Sequence, residues 1–410
     1  MNLLKSSILI TLEKYFSVLF ISLSFFIFAK FVSIDELGTY SAVEAIVMIC
    51  VLFSLLSLDT VFQDYYIKNQ TRLDIKSFYF NCFLVKLLFS TFGYLVSIIC
   101  AIALNFDIYI SLVISLLVFF KSSSILTLYN ITNKNESIYF IIGAFSTIIS
   151  FILKVIVIYI NYSTINPFFF VLDFFVLLSI SLIYFFYNNS VSIKMDYIKE
   201  IISLVKMRFY FVLSSFSIVA YGKIDQVLIA KMMDLEDVAN YAMSMKVVGI
   251  FILVSSAFNL SLSRELSKSK GKERQYKKNV KDLLFYTVLL GGVFCIVNYY
   301  LSPMIVEYIY GDKFGSAIDV IKWLSPLIFL IFISSSIGRI LVVEELGKVA
   351  FLRNFFGLLI SVFLNLILIP KYGLDGAVLS SITSWFFSSV IFIFVSSRMR
   401  ELLIGALYVK

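Results

Sequence analysis

Long apolar runs separated by short polar breaks dominate the 410-residue chain. A helix needs about 20 apolar residues to cross a bilayer core. Twelve runs answer to that length. The first half holds 8–31, 41–63, 78–104, 108–128, 138–160 and 168–187; the second holds 209–232, 239–262, 283–301, 320–343, 350–369 and 375–396. They are too long and too evenly apolar for the alternating lipid-and-lumen pattern of membrane strands. The pattern predicts an all-α polytopic membrane protein with twelve transmembrane helices. The two halves also share a signature. Residues 28–47 read FAKFVSIDELGTYSAVEAIV and residues 229–248 read IAKMMDLEDVANYAMSMKVV. Each leaves an apolar helix, crosses a short acidic turn and re-enters apolar sequence. Ala29-Lys30 aligns with Ala230-Lys231, Asp35-Glu36 with Glu236-Asp237 and Tyr40 with Tyr241, all at one ungapped offset of 201 residues. Internal repeats of this kind mark transporters in which one half moves against the other around a central site. The expected architecture is therefore two pseudo-symmetric six-helix lobes around a central cavity, 1–190 and 209–410, joined by a cytoplasmic interfacial linker, 191–208.

Composition agrees. The chain is 60% hydrophobic and 15% charged, where a soluble domain is roughly a quarter charged. Lipid has to be part of its solvent. The net charge of +8 invites a nucleic-acid reading until the charges are placed. With the N-terminus in the cytoplasm, 24 of the 34 Lys and Arg fall in inner segments and five in outer turns, and five lie within spans. This bias orients the chain with both termini cytoplasmic and makes the surplus charge a topology signal rather than a nucleic-acid footprint. Two inner connections are long. Residues 188–208 include an amphipathic stretch, 197–205, expected at the membrane interface. Residues 263–282 carry a net charge of +5 and read as an anchor on an anionic leaflet. The first run is longer than a signal-peptide core and reads as a retained span. The four cysteines all sit in apolar runs and read as packing residues. The chain has no histidine, which removes His-based catalysis, His metal ligands and His pH sensing; no metal or cofactor is expected. With no phosphate-binding Gly-rich loop, direct ATP hydrolysis is not expected either.

Ionisable groups at membrane depth are expensive and usually face a cavity or one another. The cations inside spans are Lys86, Lys154, Lys223, Lys246 and Arg339; the acids are Glu44, Asp59, Asp173 and Asp225. Lys223 falls near the midplane, and Arg339 can snorkel to the inner surface. An interior with more cations than acids suits an anionic ligand such as a lipid diphosphate, so the five cations are the candidate substrate-binding set. Asp59 and Glu44 lie closer to span ends and read as structural. Asp225 stands two residues from Lys223, about 200° around the helix, so the two cannot pair. It needs another partner, for example Lys246, or a proton, and is the candidate coupling residue for H+ or Na+.

Four stretches resemble the polysaccharide flippases (Wzx-type, O-antigen or capsule transporters) of the multidrug/oligosaccharidyl-lipid/polysaccharide exporter superfamily. They are FAKFVSIDELGTYSAV at 28–43, KIDQVLIAKMMDLEDVANYAMSMKVV at 223–248, YIYGDKFGSAIDVIKWLSP at 308–326 and NLILIPKYGLDGAVLSSI at 365–382. Asn365, Pro370, Gly373, Gly376 and Ala377 match that family's N-x-x-L-I-P-x-Y-G-x-x-G-A turn. The resemblance implies a two-lobed bundle in the bacterial cytoplasmic membrane. It implies movement of an undecaprenyl-diphosphate-linked oligosaccharide to the outer leaflet by alternating access. Its partners would be membrane lipids and that glycan, with a glycan polymerase and chain-length machinery nearby. The matching residues are turn and packing residues, not substrate ligands. A cation-coupled multidrug exporter of the same superfamily is the alternative. A membrane glycan polymerase would carry a long outer loop with catalytic polar residues, and no outer loop here is long, so no enzyme is expected.

Overall fold

The computed structural model describes residues 3–55, 58–69, 72–133, 135–160, 167–187 and 191–407. Nearly all of them are helical, and no β-strand occurs among them. The chain divides into two compact units, Met1–Phe216 and Ser217–Lys410. The division falls inside helix Phe209–Tyr221.

The first unit holds six candidate membrane segments: Leu12–Phe31, Ile34–Ser54, Ile75–Ala103, Ile108–Thr132, Glu136–Tyr159 and Phe168–Phe186. The helix that carries the division, Phe209–Tyr221, forms a broken pair with Ile224–Met232. Leu235–Ser269, Glu273–Tyr310 and Ser325–Val343 follow. The last long helix, Gly347–Ser389, bends at Gly373. Among the described residues nine helices are long and apolar enough to cross a membrane, or ten if the bent pair Met195–Met207 and Val212–Tyr221 counts as one span. Side chains such as Leu88, Ile99 and Phe363 stand exposed on the helix flanks. In water each would forfeit about 1.5–3 kcal/mol of burial, and hydrocarbon is the solvent that suits them.

The repeat is visible in the helix ends. Helix Leu3–Phe31 stops and Ile34–Cys50 starts where, 201 residues on, Ile224–Met232 stops and Leu235–Ser269 starts. In the first copy Ser33 caps the new helix through the Glu36 N–H, and the Glu36 side chain closes a capping box onto the Ser33 backbone. The acidic residues of the repeat therefore sit at helix N-termini, where the macrodipole favours negative charge. One expectation needs correcting. The run 41–63 is not one helix: after Cys50 it passes through a 3-10 turn, Val51–Ser54, and left-handed Leu55 (φ 54°) before helix Asp59–Lys68 begins.

Two Tyr-Gly turns share one backbone shape. Gly311 has φ 57°, ψ −135° and Gly373 has φ 58°, ψ −133°, a turn geometry reserved for glycine. The second explains the N-x-x-L-I-P-x-Y-G-x-x-G-A pattern. Asn365 ties its amide to Ser361, Gly373 makes the bend, and a Cβ on Gly376 would stand 2.2 Å from the Leu368 carbonyl oxygen.

Each unit ends in a short helix folded back on the start of its own third long helix; we call these clasps. In the first, Met195–Met207, Tyr197, Ile201 and Leu204 pack into a buried cluster with Phe62, Phe78 and Phe83. Glu200 pairs with Arg72 and accepts from Tyr65 at 3.2 Å. The Tyr197 hydroxyl accepts from the Asp74 N–H at 3.1 Å. Burial raises the Asp74 carboxyl, but the Ser77 hydroxyl and N–H outweigh it and hold it below the usual carboxylate range. The linker is thus part of the first unit. In the second clasp, Ser397–Leu407, Met399 and Leu402 pack with Tyr276, Val280 and Ile340, and Arg398 donates to Glu344 at 2.9 Å.

Candidate functional site

Both lysines singled out in the first unit are spent on carboxylates. Lys86 on helix Ile75–Ala103 is fully buried and donates to Asp59 at 2.5 Å and to the Ser124 hydroxyl at 2.8 Å. Ser124 in turn donates to the other Asp59 oxygen at 2.5 Å. The turn at Leu55 makes this possible by starting the next helix at Asp59 itself. Lys154 pairs with Asp173, reaches Ser24 at 3.2 Å and lies 4.5 Å from the centroid of the Phe169 ring. Asp173 also accepts from Ser150 at 2.8 Å. The expectation that Lys86 and Lys154 offer positive charge to a ligand therefore gives way to two neutral, internally satisfied clusters. Breaking such a buried pair costs about 3–5 kcal/mol, because the remaining charge stays uncompensated.

One further acid in this unit escaped the sequence reading. Glu13 on the first helix is buried, accepting from Tyr139 at 2.7 Å and Ser17 at 3.0 Å. Gly143 makes the room: a Cβ there would stand 2.4 Å from a Glu13 carboxylate oxygen. Its position five residues into an apolar run was the signal.

The second unit is built differently. Asp225 is buried at the start of helix Ile224–Met232. Its Oδ2 accepts from the Tyr241 hydroxyl at 2.6 Å and the Ser381 hydroxyl at 2.7 Å, while its Oδ1 meets no hydrogen-bond donor among the described residues. Hydroxyls thus take the place that Lys246 was expected to fill. A carboxylate held on one oxygen and bare on the other has the chemistry to take up a proton or a small cation.

Lys223, Lys246 and Arg339 are all half-buried in this unit. Lys223 sits at the break before Ile224–Met232 and donates to Gln226 at 3.3 Å. Lys246 lies on Leu235–Ser269 and Arg339 on Ser325–Val343. Arg353, one of the 24 cations assigned to inner segments, is instead 3% exposed inside the helix packing. It donates to the Ser334 carbonyl and the Asn354 side chain, each at 3.2 Å, and pairs with no acid among the described residues. Its place inside the apolar run 350–369 was the missed clue.

The repeat offset relates the two polar centres. Ser24 and Asp225 are 201 residues apart, as are Tyr40 and Tyr241. In the first unit the Ser24 position faces the Lys154–Asp173 pair, and Tyr40 packs on Phe170. In the second the same two positions are the carboxylate and its hydroxyl donor.

Known structures carry the same fold. A lipid II flippase MurJ in an inward closed conformation superposes with a TM-score of 0.70 at 16% identity, covering 98% of this chain and 91% of that one. An inward-facing multidrug resistance MATE family transporter of the MOP superfamily gives 0.72 at 11%, covering 96% and 95%. A MOP superfamily transporter from Pyrococcus furiosus gives 0.59 at 10%, covering 96% of each. The chain therefore has the fold of the MOP flippases and transporters. A search of curated proteins returns no match. The profile of the polysaccharide biosynthesis protein family matches residues 27–319, from the first acidic turn to beyond the Gly311 bend, and the chain belongs to that family.

Proposed function

We propose that the protein flips undecaprenyl-diphosphate-linked oligosaccharide repeat units from the cytoplasmic to the outer leaflet of the cytoplasmic membrane, by alternating access, for O-antigen or capsule. The family match over residues 27–319 carries this reading. About 30 Å of hydrocarbon bars a polar glycan from crossing unaided, so the carrier has to offer a polar path. Lys223, Lys246 and Arg339, half-buried in one unit, are the groups suited to a diphosphate, and Arg353 adds a buried positive charge to the same unit. The bare oxygen of Asp225 suits a coupling H+ or Na+.

One observation favours a second reading, a cation-coupled multidrug exporter. Both interior lysines of the first unit are paired with carboxylates, and Asp225 is a buried acid open to a cation. A deletion strain separates the two. Accumulation of lipid-linked repeat units on the inner leaflet, relieved by the wild-type gene and poorly by a K223A/K246A/R339A variant, supports the flippase. Normal surface glycan together with drug hypersensitivity overturns it.

A further inference from the structure

The two clasp helices match more closely than their packing alone requires. Ile201 of the first and Leu402 of the second are buried, and Lys199 and Arg400 are exposed; both pairs stand 201 residues apart. At these positions the two clasps turn alike, whereas Tyr197, buried in the first, aligns with exposed Arg398 in the second. The outward face of the first carries Lys199, Ile202 and Lys206, at i, i+3 and i+7 on one ridge, with exposed Met207 beside them. That of the second carries Arg400 and, one turn on, exposed Ile404. Cations beside large exposed aliphatics make a surface at odds with water and with the hydrocarbon core alike, but suited to the boundary between them. Contacts within each unit settle the inward face, so the ridge is what remains for the surroundings.

We propose that these two ridges bind anionic phospholipid of the inner leaflet, the cations meeting phosphate headgroups and the aliphatics entering the acyl boundary. The recurrence of an exposed cation at the Lys199 and Arg400 positions, each with exposed aliphatics nearby, points to a shared lipid surface. The proposal rests on the orientation set by the Lys and Arg bias and not on which substrate is flipped, so it stands or falls separately from the function proposed above.

The test uses the full-length protein, equilibrated in vesicles containing equal phosphatidylglycerol and phosphatidylcholine, then extracted in mild detergent with its retained lipid measured by mass spectrometry. Wild type should retain phosphatidylglycerol in preference. Each cation near an anionic surface is worth about a fivefold factor, so K199Q/K206Q and R400Q should each lose several-fold of that preference. K199R should keep it, and K371Q, on the opposite side of the membrane, should behave as wild type. Thermal unfolding in phosphatidylcholine alone should be the same for all of them, which separates lost lipid binding from lost folding. Equal retention of the two lipids by wild type, or undiminished preference in the triple variant K199Q/K206Q/R400Q, overturns the proposal.

Discussion

At matching repeat positions, the first unit closes a lysine onto an aspartate beside Ser24, and the second holds Asp225 by two hydroxyls with one oxygen left open. Taking charge out of water is costly in both places. The first unit meets the cost with an opposite charge built into the chain. In the second, neutral donors reduce the cost without cancelling the charge. A centre of the first kind has one stable occupancy and serves as a fixture. A centre of the second kind leaves a carboxylate oxygen open, which is what the proposed coupling to H+ or Na+ would require.

The sharpest way to break this comparison is to remove the built-in cation. Lys154→Met should lower stability by about 3–5 kcal/mol, read as a fall in unfolding temperature, because Asp173 is left buried and unpaired. The double variant K154M/D173L should recover most of the loss. If the single variant is as stable as wild type, the pair is not the fixture described. Next in size is Tyr241→Phe, which removes a hydroxyl donor from a buried carboxylate. Hydrogen bonds to charged groups are worth about 1.5–3 kcal/mol, and a thermal scan should show a loss in that range, with Ser381→Ala close to it.

The functional contrast comes third. Asp225→Asn keeps the shape and the hydroxyl contacts but cannot exchange a proton or hold a cation. Glycan restoration in a deletion strain should fall by about tenfold or more, equivalent to about 1.4 kcal/mol, while K154M/D173L retains transport. Full restoration by Asp225→Asn would remove it from coupling. The smallest expected effect is at the repeated acidic turn. Ser33→Ala should cost about 1 kcal/mol through loss of the cap, detectable as faster amide exchange in the first turn of Ile34–Cys50.

Much of the scaffold was legible because it follows from local pattern. Apolar run length marked the passes, and one ungapped offset located the repeat that the helix ends then obeyed. The buried charges were harder. Lys86 meets Asp59 and Lys154 meets Asp173 across separate helices, and helical spacing says nothing about which faces converge. The break at Leu55, without glycine or proline to announce it, hid the fact that Asp59 opens a helix beneath Lys86. Arg353 was misplaced because a charge near the end of an apolar run reads as an interfacial anchor, whereas here Ser334 and Asn354 satisfy it inside. The second clasp went unread because its apolar face is only two residues deep, Met399 and Leu402.

The missing side chain at Gly143 has an electrostatic reach. Glu13 occupies the space that a methyl group there would claim, and the Tyr139 and Ser17 hydroxyls hold it there. Exchanging one small apolar residue for another at position 143 would force the Glu13 carboxylate to shift within its site. A substitution invisible to any tally of charge would therefore act as a change of charge distribution on the neighbouring helix.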